Sequence, residues 1–145
     1  MKQILNERHW ILISDRLPDP GEAHRFVSRK DCGAVNLFSG VTRNHEKGKK
    51  VSLLFYDCYE EMAASVLQKL IADIQVQFPV GKVAVLHKTG EVPVGHLSMI
   101  VAVASAHRVE AIQATLELIN RLKREVPIWK RETFEDGEKW KEEQP

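Results

Sequence analysis

The chain has 145 residues, the length of one domain, and we take residues 1–145 as a single domain. Hydrophobic residues make up 43% and charged residues 28%, as in an ordinary globular protein with one core. The 21 Lys and Arg nearly cancel the 20 Asp and Glu, and this balance argues against a protein that coats nucleic acid or an anionic membrane.

The first third of the chain is predicted to contain three strands and one short helix. Residues 10–14 are apolar and β-branched, which predicts a strand. Asp19 followed by proline predicts the start of a helix that ends near residue 30. A strand over residues 34–39 leads into residues 40–50, a basic stretch without apolar periodicity that predicts a loop. Residues 51–56 form the next strand.

Two long helices are predicted from apolar side chains at three- and four-residue spacing, over residues 59–78 and 109–123. The inward-facing side chains predicted for the first helix are Met62, Val66, Leu67, Leu70, Ile71 and Ile74. Those predicted for the second helix are Val109, Ile112, Leu116 and Ile119.

Four more strands are predicted in the second half of the chain. They cover residues 82–88, 97–104, 128–134 and 138–141. Residues 89–95 and the pair Asp136-Gly137 are predicted turns. The strand over 97–104 is apolar almost throughout, which favours a central position. Because pairs of strands alternate with single helices, we predict an α+β fold with a mixed or antiparallel sheet.

Several kinds of site and location are disfavoured by the sequence. It has no P-loop, no dinucleotide-binding glycine motif and no pair of histidines at helical spacing, so we expect no metal site and no cofactor. Cys32 and Cys58 are too few for a disulfide framework. Glu7 and Arg8 interrupt the stretch that a signal peptide needs, and no apolar run approaches a membrane span. We therefore expect a cytoplasmic protein.

Three stretches combine basic residues with the ends of predicted elements. Ser105-Ala106-His107-Arg108 joins a strand to a helix N-terminus, where free backbone N–H groups favour anions; the alternative is a capping serine beside exposed polar residues. The second stretch runs from Lys123 to Glu132. Its first residue, Lys123, lies in the last turn of a helix, where a cation also interacts favourably with the helix dipole. Lys130 and Arg131 point to opposite faces of a strand, with Trp129 on the side of Arg131.

The third stretch, FSGVTRNH, places Arg43 in a glycine-containing loop after a strand. Basic segments that are distant in sequence can meet in space as an anion pocket, or can simply be solvated. The charges alone leave both interpretations open.

Taken together and in order, GAVNLFSGVTRNH, TGEVPVG, SAHR and LKREVPIWKRE resemble the large, catalytic subunit of molybdopterin synthase. The resemblance implies an α+β fold with two long helices and a β-hammerhead-type element. It also implies a homodimer within a heterotetramer, in which each large subunit binds a small ubiquitin-like sulfur carrier. The C-terminal Gly-Gly thiocarboxylate of that carrier would supply the sulfur that converts cyclic pyranopterin monophosphate to molybdopterin.

Matched position by position, the resemblance implies a set of functional residues. The implied catalytic residues are Lys123 and Lys130. The implied substrate-binding residues are Val41, Thr42, Arg43, His107, Arg108, Lys123, Lys130, Arg131 and Glu132. The alternatives to an enzyme are an anion- or nucleotide-binding module, or a scaffold without turnover.

Overall fold

The structure is a computed structural model that describes residues 1–46, 48–135 and 137–143, with side chains described up to residue 135. Its helices are α1 (Pro20–Val27), α2 (Glu60–Gln77) and α3 (Arg108–Glu125). Its strands are β1 (Lys2–Leu5), β2 (His9–Ser14), β3 (Ala34–Val41), β4 (His45–Glu46), β5 (Lys49–Cys58), β6 (Val80–Lys88), β7 (Gly90–Pro93), β8 (Leu97–Ser105), β9 (Ile128–Phe134) and β10 (Gly137–Glu143).

The first sheet has the strand order β1-β2-β6-β8-β3, in which β2 and β6 are parallel and the other pairs are antiparallel. Alternate side chains of β6 enter two cores. Val83 and Val85 pack with α2 and α3 on one face, and Ala84 and Leu86 pack with α1 on the other. The mixed sheet and the two long helices confirm the predicted α+β class. The inner position of β8, between β6 and β3, confirms the central placement of that strand.

The second sheet has the order β10-β9-β5-β4, and β7 also pairs with β5. In its antiparallel register, Leu54 pairs with Glu132 and Tyr56 pairs with Lys130. These four side chains share one face of the sheet because side chains alternate along a strand. This register places two charged residues of β9 over the same cavity, described below.

Short strands account for most differences from the sequence-based prediction. The stretch 40–50 is not simply a loop, because β3 extends to Val41 and β4 pairs with β5. The predicted turn at 89–95 contains β7, and β1 precedes the first predicted strand. Helix α1 ends at Val27 because Ser28 is extended and caps the helix with both its backbone N–H and its hydroxyl on the His24 carbonyl. Asp136, part of a predicted turn, lies outside the described residues.

The predicted inward face of α3 is confirmed only at Ile119 and is wrong at the other three positions. Val109, Ile112 and Leu116 are 48%, 54% and 61% exposed. The residues that α3 buries are Ala111, Ala114, Thr115, Leu118, Ile119 and Leu122. The small residues on this face let the helix pack close to the sheet, and Val109, Ile112 and Leu116 form a separate, exposed apolar stripe. On α2 the prediction holds apart from Met62, which is 58% exposed. None of the helices in the described residues is long and apolar enough to cross a membrane.

Candidate active site

A cavity of about 290 Å³ opens where the end of β3, the segment around β4, the second sheet and the last turn of α3 meet. Its charged and titratable lining residues are Arg43, His45, Glu46, Lys123, Lys130 and Glu132. Two basic segments that are far apart in sequence therefore meet in space. Of the two interpretations that the charges alone left open, this arrangement favours an anion pocket. Three cations face two carboxylates across the cavity, so its net charge is positive.

Lys130 and Glu132 lie two residues apart on β9 and project into the cavity from the same face. The Lys130 Nζ atom is 3.4 Å from Glu132 Oε1, and their side chains are only 19% and 2% exposed. The other carboxylate oxygen, Glu132 Oε2, is buried without a hydrogen-bond partner among the described residues. An unpaired buried acceptor is costly, so this oxygen is suited to a donor group of a ligand.

Arg43 reaches the cavity from the segment between β3 and β4. Its Nη2 atom donates to Glu46 Oε2 at 2.7 Å, and its side chain is 69% exposed against 19% for Glu46. The backbone of Arg43 thus follows shortly after the end of β3, while the guanidinium remains open to water and to anions.

Lys123 enters the cavity from the last turn of α3 and is exposed. The helix ends at Glu125, and the backbone N–H of the next residue, Val126, donates to the Leu122 carbonyl. Within the described part of the chain, Lys123 forms no ion pair, in contrast to Arg43 and Lys130. It is therefore the cavity amine that carries no internal counter-ion there.

The floor of the cavity is neutral and was missed by the sequence analysis. His87 is fully buried, and burial lowers its pKa to about 4. Its Nδ1 donates to the Lys88 carbonyl at 2.8 Å, and the Tyr56 ring packs against it edge-on at 4.9 Å. Burial also raises the pKa of Tyr56, whose hydroxyl bonds to Ser98. The available signal was a histidine among the apolar side chains of β6.

Two predicted site residues lie at the other end of α3. His107 is the N-cap of this helix and Arg108 is its first residue, whereas Lys123 is in its last turn. Fifteen residues of helix separate Arg108 from Lys123, which is roughly 22 Å. Ser105 was a candidate N-cap, but the N-cap is His107. The Ser105 hydroxyl donates to the His107 carbonyl instead. Within one chain, His107 and Arg108 do not line the cavity.

The remaining predicted residues divide between the cavity and other places. Val41 lines the cavity. Thr42 is buried beside it, and its backbone N–H donates to the His96 carbonyl. Arg131 lies on the opposite face of the second sheet, where its guanidinium lies 4.4 Å from the centre of the Phe55 ring and 4.0 Å from Asp57. The predicted opposition of Lys130 and Arg131 is confirmed, and it keeps Arg131 out of this cavity.

Neither cysteine has the character of a sulfur donor. Burial raises the pKa of Cys58 to about 11, and burial also raises the pKa of Cys32. Both therefore stay protonated at neutral pH, and neither lines the cavity. In the described residues, no three His, Cys, Asp or Glu side chains are grouped so that they could hold a metal ion. Any sulfur handled in this cavity would have to arrive with another molecule.

The fold and the motifs around this cavity define a member of the MoaE protein family, to which the chain belongs; the family model matches residues 13–125. The chain is 46% identical over 123 residues to the molybdopterin synthase catalytic subunit of Taeniopygia guttata, with 84% of this chain and 79% of that protein covered. It is 44% identical over 120 residues to the Homo sapiens catalytic subunit, with 83% of this chain and 64% of that protein covered. The family predicted from the motifs is confirmed.

The fold agrees with this assignment. The crystal structure of molybdopterin synthase from Staphylococcus aureus superimposes with a TM-score of 0.83 at 33% identity, covering 90% of this chain and 94% of that one. The chain spans less than two thirds of the length of the human catalytic subunit.

Proposed function

We propose that this chain is the catalytic subunit of a cytoplasmic molybdopterin synthase. It converts cyclic pyranopterin monophosphate to molybdopterin with sulfur from the C-terminal thiocarboxylate of a small carrier subunit. The observation that carries this proposal is the cavity itself, in which Lys123, which has no counter-ion among the described residues, faces Arg43 and the buried pair Lys130–Glu132.

The cavity suits sulfur transfer from an acyl donor that a partner delivers. Once the thiocarboxylate sulfur has bonded to the pterin, attack of water on the acyl carbon develops negative charge on the acyl oxygen. The C–S bond then breaks, the sulfur stays on the pterin, and the carrier is left with a carboxylate. An amine beside that carbon, as Lys123 would be, can act as a cation, as a proton donor, or as a nucleophile that forms a transient acyl link. Arg43 and Lys130 would bind the phosphate and the pterin, because each can donate charge-assisted hydrogen bonds.

We propose further that His107 and Arg108 of one copy of the chain contribute to the cavity of a second copy. They lie beside the start of β3: Ala34 pairs with Ser105, and Gly33 N–H donates to the Ala106 carbonyl at 3.2 Å. The other end of β3, at Val41, lines the cavity. If two copies pair through β3 in antiparallel fashion, the start of each β3 comes next to the end of the other.

An uncovered apolar surface supports this mode of pairing. Strand β3 is an edge of the first sheet in the described residues, and α3 packs over β8 and β3 while α2 packs over β1, β2 and β6. Arg121 marks the side of α3 that faces α2, because it contacts Asp73 at 3.1 Å. The exposed stripe Val109, Ile112 and Leu116 lies roughly 120–180° around the helix from Arg121, on the side of the β3 edge.

Reconstitution tests the proposed function. The purified chain is mixed with a thiocarboxylated carrier and cyclic pyranopterin monophosphate, and the pterin is followed by mass spectrometry. We expect two sulfur atoms to be added and a dithiolene to form. A chain that binds both ligands and leaves the pterin without sulfur would be a binding module, and the proposal would be wrong.

A further inference from the structure

The two carboxylates of the cavity differ in how firmly they hold their cations. Lys130 and Glu132 share one strand, and both are largely buried. Arg43 lies in the segment between β3 and β4, Glu46 is the last residue of the two-residue strand β4, and the Arg43 side chain is 69% exposed. Glu46 is 19% exposed, but water competes for the exposed Arg43 guanidinium, so this pair opens at a lower cost than the Lys130–Glu132 pair. The first pair is therefore a fixed part of the wall, and the second can be rearranged.

Glu46 also stands where an incoming anion must arrive. It lines the same cavity as Arg43, and its Oε2 accepts from Arg43 Nη2 at 2.7 Å. A guanidinium binds a phosphate best through two parallel N–H groups of its planar fork. A phosphate that approaches Arg43 from within the cavity therefore competes with Glu46 for the guanidinium, and it meets the negative charge of Glu46 as it does so.

We propose that Glu46 is an exchangeable internal ligand of Arg43, which occupies the guanidinium until an anionic ligand in the cavity replaces it. Glu46 is thereby a specificity-determining residue. A free phosphate ion contacts little else in the cavity and gains little from the exchange. A larger ligand that also contacts Lys130 and the floor gains enough from those contacts to displace Glu46. The identity of that larger ligand, a pterin phosphate, rests on the proposed function.

Binding of inorganic phosphate to the purified chain tests this inference without any turnover. Glu46→Gln removes the competing charge and keeps the shape, so we expect phosphate to bind about two- to fivefold more tightly, the range for an ion pair whose cation is exposed to water. Glu91→Gln is the matched control, because Glu91 is exposed on β7 outside the cavity and its substitution changes the net charge equally. Titrations followed by NMR or calorimetry measure both variants.

The same measurement in an Arg43→Ala background shows whether Glu46 acts through Arg43. We expect Glu46→Gln to have no effect there, so that the double-mutant cycle assigns the gain to this pair. Unchanged or weaker phosphate binding in both Glu46→Gln and Glu46→Ala, at an unfolding temperature equal to that of the wild type, would overturn the inference. A gain that persists without Arg43 would do the same. Failure to form dithiolene would count against the proposed function and leave this result standing.

Discussion

Arg108 and Lys123 occupy the first and the last turn of the same helix, roughly 22 Å apart, and only Lys123 lines the cavity. A site that uses both must take one of them from a second chain. The exposed edge of β3 and the apolar stripe of α3 indicate how that chain would be placed. An active site that is shared between two chains predicts a specific activity for mixed dimers of two variants.

Mixing two inactive variants should restore activity. Arg108→Ala and Lys123→Ala each damage every site of their own dimers. In a mixed dimer, the Arg108→Ala chain supplies Lys123 and its partner supplies Arg108, so one of the two sites is intact. Random exchange should then recover about a quarter of wild-type turnover. A mixture no more active than the two variants measured separately would mean that the site is built within one chain.

Leu116→Glu should dissociate the dimer. Leu116 lies in the exposed apolar stripe of α3, and a charge buried there against a second copy would lack a partner. Val76→Glu is the matched control, because Val76 is 90% exposed on α2, away from the β3 edge. Sedimentation velocity should show a monomer for Leu116→Glu and a dimer for Val76→Glu. Identical behaviour of the two variants would place the interface elsewhere.

Lys130→Ala should weaken binding of the pterin phosphate by roughly 10- to 150-fold, the value of one charge-assisted hydrogen bond. The affinity of the wild type should also fall as salt increases. Arg131→Ala removes a cation from the next position of β9, but on the opposite face of the sheet, where Arg131 contacts Phe55 and Asp57. Calorimetry should give near wild-type affinity for Arg131→Ala. Equal losses of affinity in both variants would contradict the placement of Lys130 and Arg131 on opposite faces of the sheet.

Stability should fall as pH is lowered from about 6.5 to about 4. Burial lowers the pKa of His87 from its ordinary value of 6.5 to about 4, so in this interval the unfolded chain binds a proton that the folded chain does not. Unfolding then takes up a proton and becomes more favourable at lower pH, by roughly 3 kcal/mol over the whole interval.

Urea unfolding at several pH values measures this effect. His87→Gln should flatten the dependence without abolishing it, because burial also lowers the pKa of His9. A His87→Gln variant with the full wild-type slope would show that His87 does not titrate as its burial requires.

The long, periodic elements and the cationic residues of the site were predictable from the sequence. Helix α2 and strand β8 carry their pattern locally, and Arg43, Lys123 and Lys130 belong to recognisable motifs. The short strands β1, β4 and β7 were not predicted. Strand β7 depends on hydrogen bonds to β5, which is distant in sequence. Strands β1 and β4 pair with the next strand along the chain, but with four and two residues they are too short to show an alternating pattern.

The buried face of α3 was mispredicted for a related reason. Hydrophobicity alone ranks Ile112 and Leu116 above Ala111 and Ala114, but close packing against the sheet selects the small residues. Val109, Ile112 and Leu116 lie on a different, exposed side of the helix. The neutral floor of the cavity, with Tyr56 and His87, depends on which strands become neighbours, and no local pattern encodes that.

The rate of sulfur transfer in Lys123 variants tests the central claim most directly. Single-turnover formation of dithiolene is measured by mass spectrometry with thiocarboxylated carrier and cyclic pyranopterin monophosphate, and carrier binding is measured alongside. We expect Lys123→Ala to bind the carrier and to lose about 100-fold or more in rate, the effect of removing one positioned acid–base or electrostatic group. Lys123→Arg keeps the charge but cannot act as a nucleophile, so full activity there would reduce the role of Lys123 to its charge. Near wild-type turnover in Lys123→Ala would contradict the account.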